Sequence, residues 1–66
     1  MKVRFYIRKN DIEEEFETLS EAKSFAEHIA KKYGSVIINK RAWESGKLYL
    51  SVNYKMNSFG DIEGPF

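Results

Sequence analysis

The sequence predicts an α+β domain of the order ββαββ: a four-stranded antiparallel sheet with one helix packed on one face and the other face open. Three observations predict it. Two runs of alternating side chains lie before Thr18, a run of helical periodicity follows, and two β-rich runs then flank a glycine turn.

The first strand is Lys2 to Arg8. Val3, Phe5 and Ile7 point one way, and Lys2, Arg4, Tyr6 and Arg8 point the other. The second is Ile12 to Thr18, with Ile12, Glu14 and Phe16 on one face and Glu13, Glu15 and Glu17 on the opposite one. Asn10-Asp11 suits a tight turn between them. That turn sets Arg8 opposite Glu13, Tyr6 opposite Glu15 and Arg4 opposite Glu17, and Phe5 opposite Phe16 on the inner face. Opposite charges facing each other across the pair support this register. Glu14 falls on the inner face and is expected near the sheet end, where it reaches water.

The helix opens at Thr18-Leu19-Ser20-Glu21, which has the form of a capping box. Ala22, Phe25, Ala26, Ile29, Ala30 and Tyr33 make one apolar stripe. Glu21 in the first turn and Lys31 and Lys32 in the last complement the helix dipole. Glu27 and Lys31 form a favourable i,i+4 pair. Gly34 is expected to close the helix as a left-handed cap.

The last two strands are Ser35 to Trp43 and Lys47 to Lys55. Glu44-Ser45-Gly46 fits a type I turn followed by a glycine bulge. It would pair Trp43 with Lys47, Ile38 with Val52 and Val36 with Tyr54. Val36, Ile38 and Ala42 then join the core, Lys40 points inward, and Ile37, Asn39, Arg41 and Trp43 face out with Tyr49. The alternative is a two-residue Ser45-Gly46 turn, which would bury Trp43, because a one-residue slip exchanges the faces. Residues 1–55 thus form one domain. Residues 56–66, with turn residues Asn57, Gly60, Gly64 and Pro65 and no period, read as an extended tail.

Composition narrows the function. A chain of 66 residues is one domain, and such a chain buries only about 60% of its unfolded surface. Its stability is expected to be marginal unless it pairs with another copy or a partner. It has no cysteine, hence no disulfide or thiolate site, which fits a cytoplasmic protein. No apolar stretch of signal-peptide or membrane-span length occurs. A net charge of +1 counts against non-specific duplex binding.

No catalytic set, metal site or cofactor site emerges. His28 is the sole histidine, and no cysteine or second histidine completes a metal site with it. Ser24 lies one turn away, without a third group to orient the pair. Glu13-Glu14-Glu15 divides over two faces of a solvated strand and lacks the pocket that paired acids require. Gly46-Lys47 lacks the flanking residues of a phosphate loop. The chain therefore reads as a binding protein rather than an enzyme.

The uncovered sheet face is the first candidate. It carries Arg4, Tyr6, Arg8, Ile37, Arg41, Trp43, Lys47 and Tyr49, with Asn53, Lys55 and the glutamates. Tyr, Trp and Arg dominate protein-interface hot spots. Aromatic and basic residues on an open sheet also serve nucleic-acid recognition. An ordinary solvated face with cross-strand ion pairs is the third reading. A protein partner is the first expectation, a nucleic acid the second, and a homodimer through the sheet edge or open face the third; no membrane partner is expected.

The last residues are the second candidate. Phe59-Gly60-Asp61-Ile62-Glu63-Gly64-Pro65-Phe66 resembles the acidic Pro-Phe tip of bacterial single-stranded DNA-binding proteins. The resemblance implies a docking peptide in which Phe66 fills an apolar pocket, its carboxylate meets an arginine, and Asp61 and Glu63 meet a basic rim, with Ile62 and Pro65 between them. The match covers roughly six residues, and Gly64 stands where that family has an aliphatic residue. The other reading is a tail whose Phe59, Ile62 and Phe66 fold back over the sheet. Phe16-x-Thr18-x-x-Glu21-Ala22-x-x-Phe25-Ala26 also resembles the strand-to-helix junction of the arm-type DNA-binding domain of phage integrases, but this chain has two strands before its helix where that domain has three. In size and lack of enzyme motifs the chain is similar to short phage and mobile-element proteins that inhibit or redirect host machinery.

Overall fold

The structure, a computed structural model, describes residues 1–65. In chain order it has β1 (Lys2–Lys9), β2 (Ile12–Phe16), α1 (Leu19–Tyr33), β3 (Val36–Glu44), β4 (Lys47–Met56) and β5 (Ile62–Glu63). The strands form one antiparallel sheet in the order β2-β1-β3-β4-β5, with α1 on one face. The α+β class and the helix between two hairpins match the sequence expectation. A fifth strand extends the expected four.

The first hairpin has the register that its charges predict: Phe5 opposite Phe16, Tyr6 opposite Glu15 and Arg8 opposite Glu13. Asn10 turns the chain at φ 55°, a conformation that asparagine tolerates better than most residues. Glu14 faces inward opposite Ile7 but is exposed. That is feasible because β2 is an edge strand and α1 does not cover Glu14. Ile7, 0% exposed, takes the interior position on β1, which pairs on both sides.

The helix begins at Thr18, whose Oγ1 accepts the Glu21 N–H at 3.2 Å. The Glu21 carboxylate accepts the Thr18 hydroxyl proton at 2.9 Å, where a regular capping box would take the backbone amide. At the other end the Gly34 N–H donates to the Ala30 carbonyl at 2.9 Å. Gly34 has the expected positive φ of 93°, but its ψ of −166° is extended. The chain leaves the helix straight into β3, so a left-handed helical cap does not form. Ala22, Ala26, Ile29 and Ala30 pack on Phe5, Ile7, Val36, Ile38 and Met56. Phe25 meets Phe16 with ring centroids 5.3 Å apart. Tyr33, the last member of the stripe, stays exposed under the Lys32 ammonium.

The second hairpin departs from its expected pairing. Glu44 pairs with Lys47 and Trp43 with Leu48, so Ser45-Gly46 is a two-residue turn. Both residues have positive φ, 52° and 80°, as a type I′ turn requires. The register then shifts at Ala42/Trp43, Tyr49 has no opposite residue, and Ala42 pairs with Leu50. Ile38 therefore faces Tyr54 and Val36 faces Met56, rather than Val52 and Tyr54. The bulge restores the phase that the shorter turn would have reversed. Val36, Ile38 and Ala42 stay in the core as expected, and Trp43 stays on the other face, half-buried.

Residues 56–66 are likewise not an extended tail through their described part. The Asn57 Oδ1 accepts the Phe59 and Asp61 N–H groups at 2.9 and 3.0 Å, and the Asn57 carbonyl accepts the Gly60 N–H at 3.0 Å. This turn returns the chain so that Ile62 pairs with Met56 and Glu63 with Lys55. Ile62 packs against the core, whereas Phe59 stays 87% exposed. Of the fold-back reading, Ile62 thus obeys it, Phe59 does not, and Phe66 lies outside the described residues.

Candidate functional site

Strand alternation carries one set of side chains away from the helix. Cross-strand partners share a face, so the registers place Glu13 and Glu15 beside Arg8 and Tyr6. Beyond them lie Arg4 beside Arg41, Tyr6 beside Asn39, and Arg8 beside Ile37. Arg41 lies beside Ser51, Asn39 beside Asn53, Ile37 beside Lys55, and Lys55 beside Glu63. The face is thus basic and aromatic at its centre and acidic along both edge strands.

The centre is a connected cluster. The Arg41 guanidinium lies 4.7 Å from the centroid of the Tyr6 ring. Its Nε donates to the Asn39 Oδ1 at 2.7 Å. The Asn39 Nδ2 in turn donates to the Asn53 Oδ1 at 2.9 Å and to the Ser51 Oγ and the Val52 carbonyl at 3.2 Å each. Arg41, with no carboxylate within ion-pair distance among the described residues, keeps its charge available. Arg4, by contrast, meets Glu15 at 3.5 Å and Glu17 at 4.0 Å. Together with Arg8, Glu13 and Ile37, the cluster lines a depression of about 430 Å³.

The Tyr6 hydroxyl ionises above its usual 10.0, first because burial disfavours the phenolate, then because the Glu15 carboxylate repels it and holds the neutral hydroxyl. Arg41 and Arg4 pull in the other direction without reversing the shift.

The structure brings Arg4, Tyr6, Arg8, Ile37 and Arg41 together as the sequence predicts. Trp43 lies toward the turn end of the same face, with the Lys2 Nζ 5.3 Å above its ring. Lys47 and Tyr49 depart from expectation. Lys47 pairs with Glu44, the neighbour of Trp43, and so belongs to the opposite face. Tyr49 falls in the bulge, where its hydroxyl donates to the Met1 Sδ at 2.7 Å. Both shifts follow from the two-residue turn.

The proposed docking tip is divided. Asp61 and Glu63 are exposed, Ile62 is half-buried against the core, and Pro65 is exposed. Phe66, the anchor in that reading, lies outside the described residues. Asn39, the hub of the central cluster, carries no sequence signal beyond its outward phase. Phe59 was legible only as one aromatic among turn residues.

His28 and Ser24 are exposed on α1. Among the described residues no group of three or more His, Cys, Asp or Glu could hold a metal ion, and no helix is long and apolar enough to cross a membrane. No family model, curated protein or solved structure matches the chain.

Proposed function

We propose that this chain is a non-catalytic binding protein whose open sheet face engages a protein partner. The observation that carries this reading is the Tyr6–Arg41–Asn39 cluster, hydrogen-bonded onward to Ser51 and Asn53. Side chains already held in one geometry lose little further freedom on binding, and Tyr and Arg are the residue types on which interface energy concentrates. Ile37, 42% exposed beside them, supplies apolar contact area. Such a protein acts by occupying its partner's surface, the mode of action of an inhibitor or modulator of larger machinery.

A nucleic-acid partner fits the same face less well. Base stacking requires an accessible aromatic face, but Arg41 lies over Tyr6 at the centre of the sheet. Arg4 is neutralised by Glu15 and Glu17. A strand of phosphates crossing the sheet would also meet Glu13 and Glu15 on one edge and Glu63 on the other.

The reading is tested by affinity capture with the full chain and its Arg41→Ala variant, each with and without nuclease. The expected result is a protein retained by the wild type after nuclease at moderate salt and released by the variant. A catch that dissolves with nuclease, and weakens steeply with salt, would contradict it.

A further inference from the structure

The most exposed aromatic among the described residues lies far from the central cluster. Phe59 is 87% exposed, and its turn does not require it. The bonds that close the turn come from the Asn57 side chain, the Asn57 and Asp61 backbones and Gly60 at φ 90°. Position 59 supplies only a backbone N–H, which any residue except proline could give. The turn therefore fixes the backbone that carries an almost fully exposed apolar ring, with the exposed Asp61 carboxylate two residues on.

At the other end of β4 lies a cleft of about 530 Å³ lined by Met1, Lys2, Trp43, Ser45 and Gly46. Its walls are the Met1 and Trp43 side chains and the hairpin turn, and Lys2 brings a cation to it. The Tyr49 hydroxyl donates to the sulfur of Met1 in one wall. The Lys2 ammonium lies over one face of the Trp43 ring; Met1 and the rest of Trp43 line the cleft with apolar surface for a ring, and Lys2 brings the positive charge for a carboxylate, which are what the Phe59 turn presents.

The two features cannot meet within one molecule. The cleft is built at the turn before Lys47 and the ring stands just after Met56, so all of β4 separates them along a molecule 38 Å long. We propose that the Phe59 turn of one copy docks into the Met1–Lys2–Trp43 cleft of a second, so that chains associate end to end. Ring and cleft stand at opposite ends of β4, so an end-to-end contact is heterologous and extends the assembly unless its rotation closes a ring. It leaves the Tyr6–Arg41 cluster uncovered and does not rest on the function proposed for it.

Sedimentation velocity on the full chain from micromolar to millimolar concentration tests this. The wild type is expected to grow in mean mass with concentration. Phe59→Ala, a change at a solvated position, is expected to weaken association by about 30-fold or more, as loss of a hot-spot anchor does. Trp43→Ala should do the same. An equimolar mixture of these two variants should regain association but stop at pairs, because one variant supplies only the ring and the other only the cleft. If Trp43→Ala unfolds, Lys2→Glu takes its place: it should associate weakly alone and regain association when mixed with Asp61→Lys. A wild type that stays monomeric throughout, a Phe59→Ala variant that associates like the wild type, or variant mixtures that remain monomeric would each overturn the proposal.

Discussion

The two faces of the sheet are built from alternate residues of the same strands, yet they are different materials. On the helix side Phe5, Ile7, Val36, Ile38 and Met56 are buried with Ala22, Ala26, Ile29 and Ala30, and among the described residues no buried one is polar or charged. On the other side Tyr6, Asn39, Arg41, Ser51 and Asn53 are joined by hydrogen bonds and a cation–π contact at the surface. Strand alternation therefore separates the residues that stabilise the chain from those proposed to engage a partner. Substitutions should divide the same way.

The largest effect is expected on the covered face. Ile38 is 0% exposed, and Ile38→Ala should destabilise by about 2–5 kcal/mol, enough to leave so small a domain largely unfolded at ambient temperature. Urea unfolding followed by circular dichroism measures it; a loss below about 1 kcal/mol would place Ile38 outside a packed core. Thr18→Ala, which removes the helix cap, should lower stability by about 1 kcal/mol in the same assay. On the open face the effects shrink. Arg4 forms its ion pairs with the exposed carboxylates Glu15 and Glu17, so Arg4→Ala should change stability by no more than about 1 kcal/mol, and less at high salt.

The smallest effect concerns pH. The raised Tyr6 value means that the folded state favours the neutral phenol. That contribution is fully present below the ordinary tyrosine value of 10.0 and is lost as pH rises through the higher folded value. Stability above that range should fall more in the wild type than in Tyr6→Phe. Because Arg41 lowers the Tyr6 value, Arg41→Ala should move the ultraviolet titration of Tyr6 to still higher pH. A titration unchanged by the substitution would mean that the guanidinium does not lie over the ring.

The covered face was the more legible of the two from sequence. Its helix stripe and the inward phases of both hairpins are patterns of apolar spacing, and Arg8, Tyr6 and Arg4 opposite a row of glutamates left one sensible register for the first hairpin. The second hairpin was harder because two irregularities compensate. The two-residue Ser45-Gly46 turn moves the pairing by one position and the bulge at Tyr49 moves it by one more, so from Leu50 onward the faces keep their expected phase with changed partners, while Lys47 and Tyr49 read wrongly. β5 spans only Ile62 and Glu63, too short for any period to register. The Asn57 turn that directs it announces itself only as Asn and Gly three positions apart in chain order. The outward positions of Tyr6 and Arg41 were readable, but not that Asn39 would join them to the strand beyond.

The separation of stability from recognition is tested most directly on Arg41→Ala, by measuring its urea midpoint and its retention of the captured protein partner side by side. The account predicts a stability loss of no more than about 1 kcal/mol, the scale of an exposed cation–π contact, together with loss of the partner. A variant that keeps the partner at full strength, or that loses it only because it has unfolded, would contradict the claim that the open face is where this protein binds.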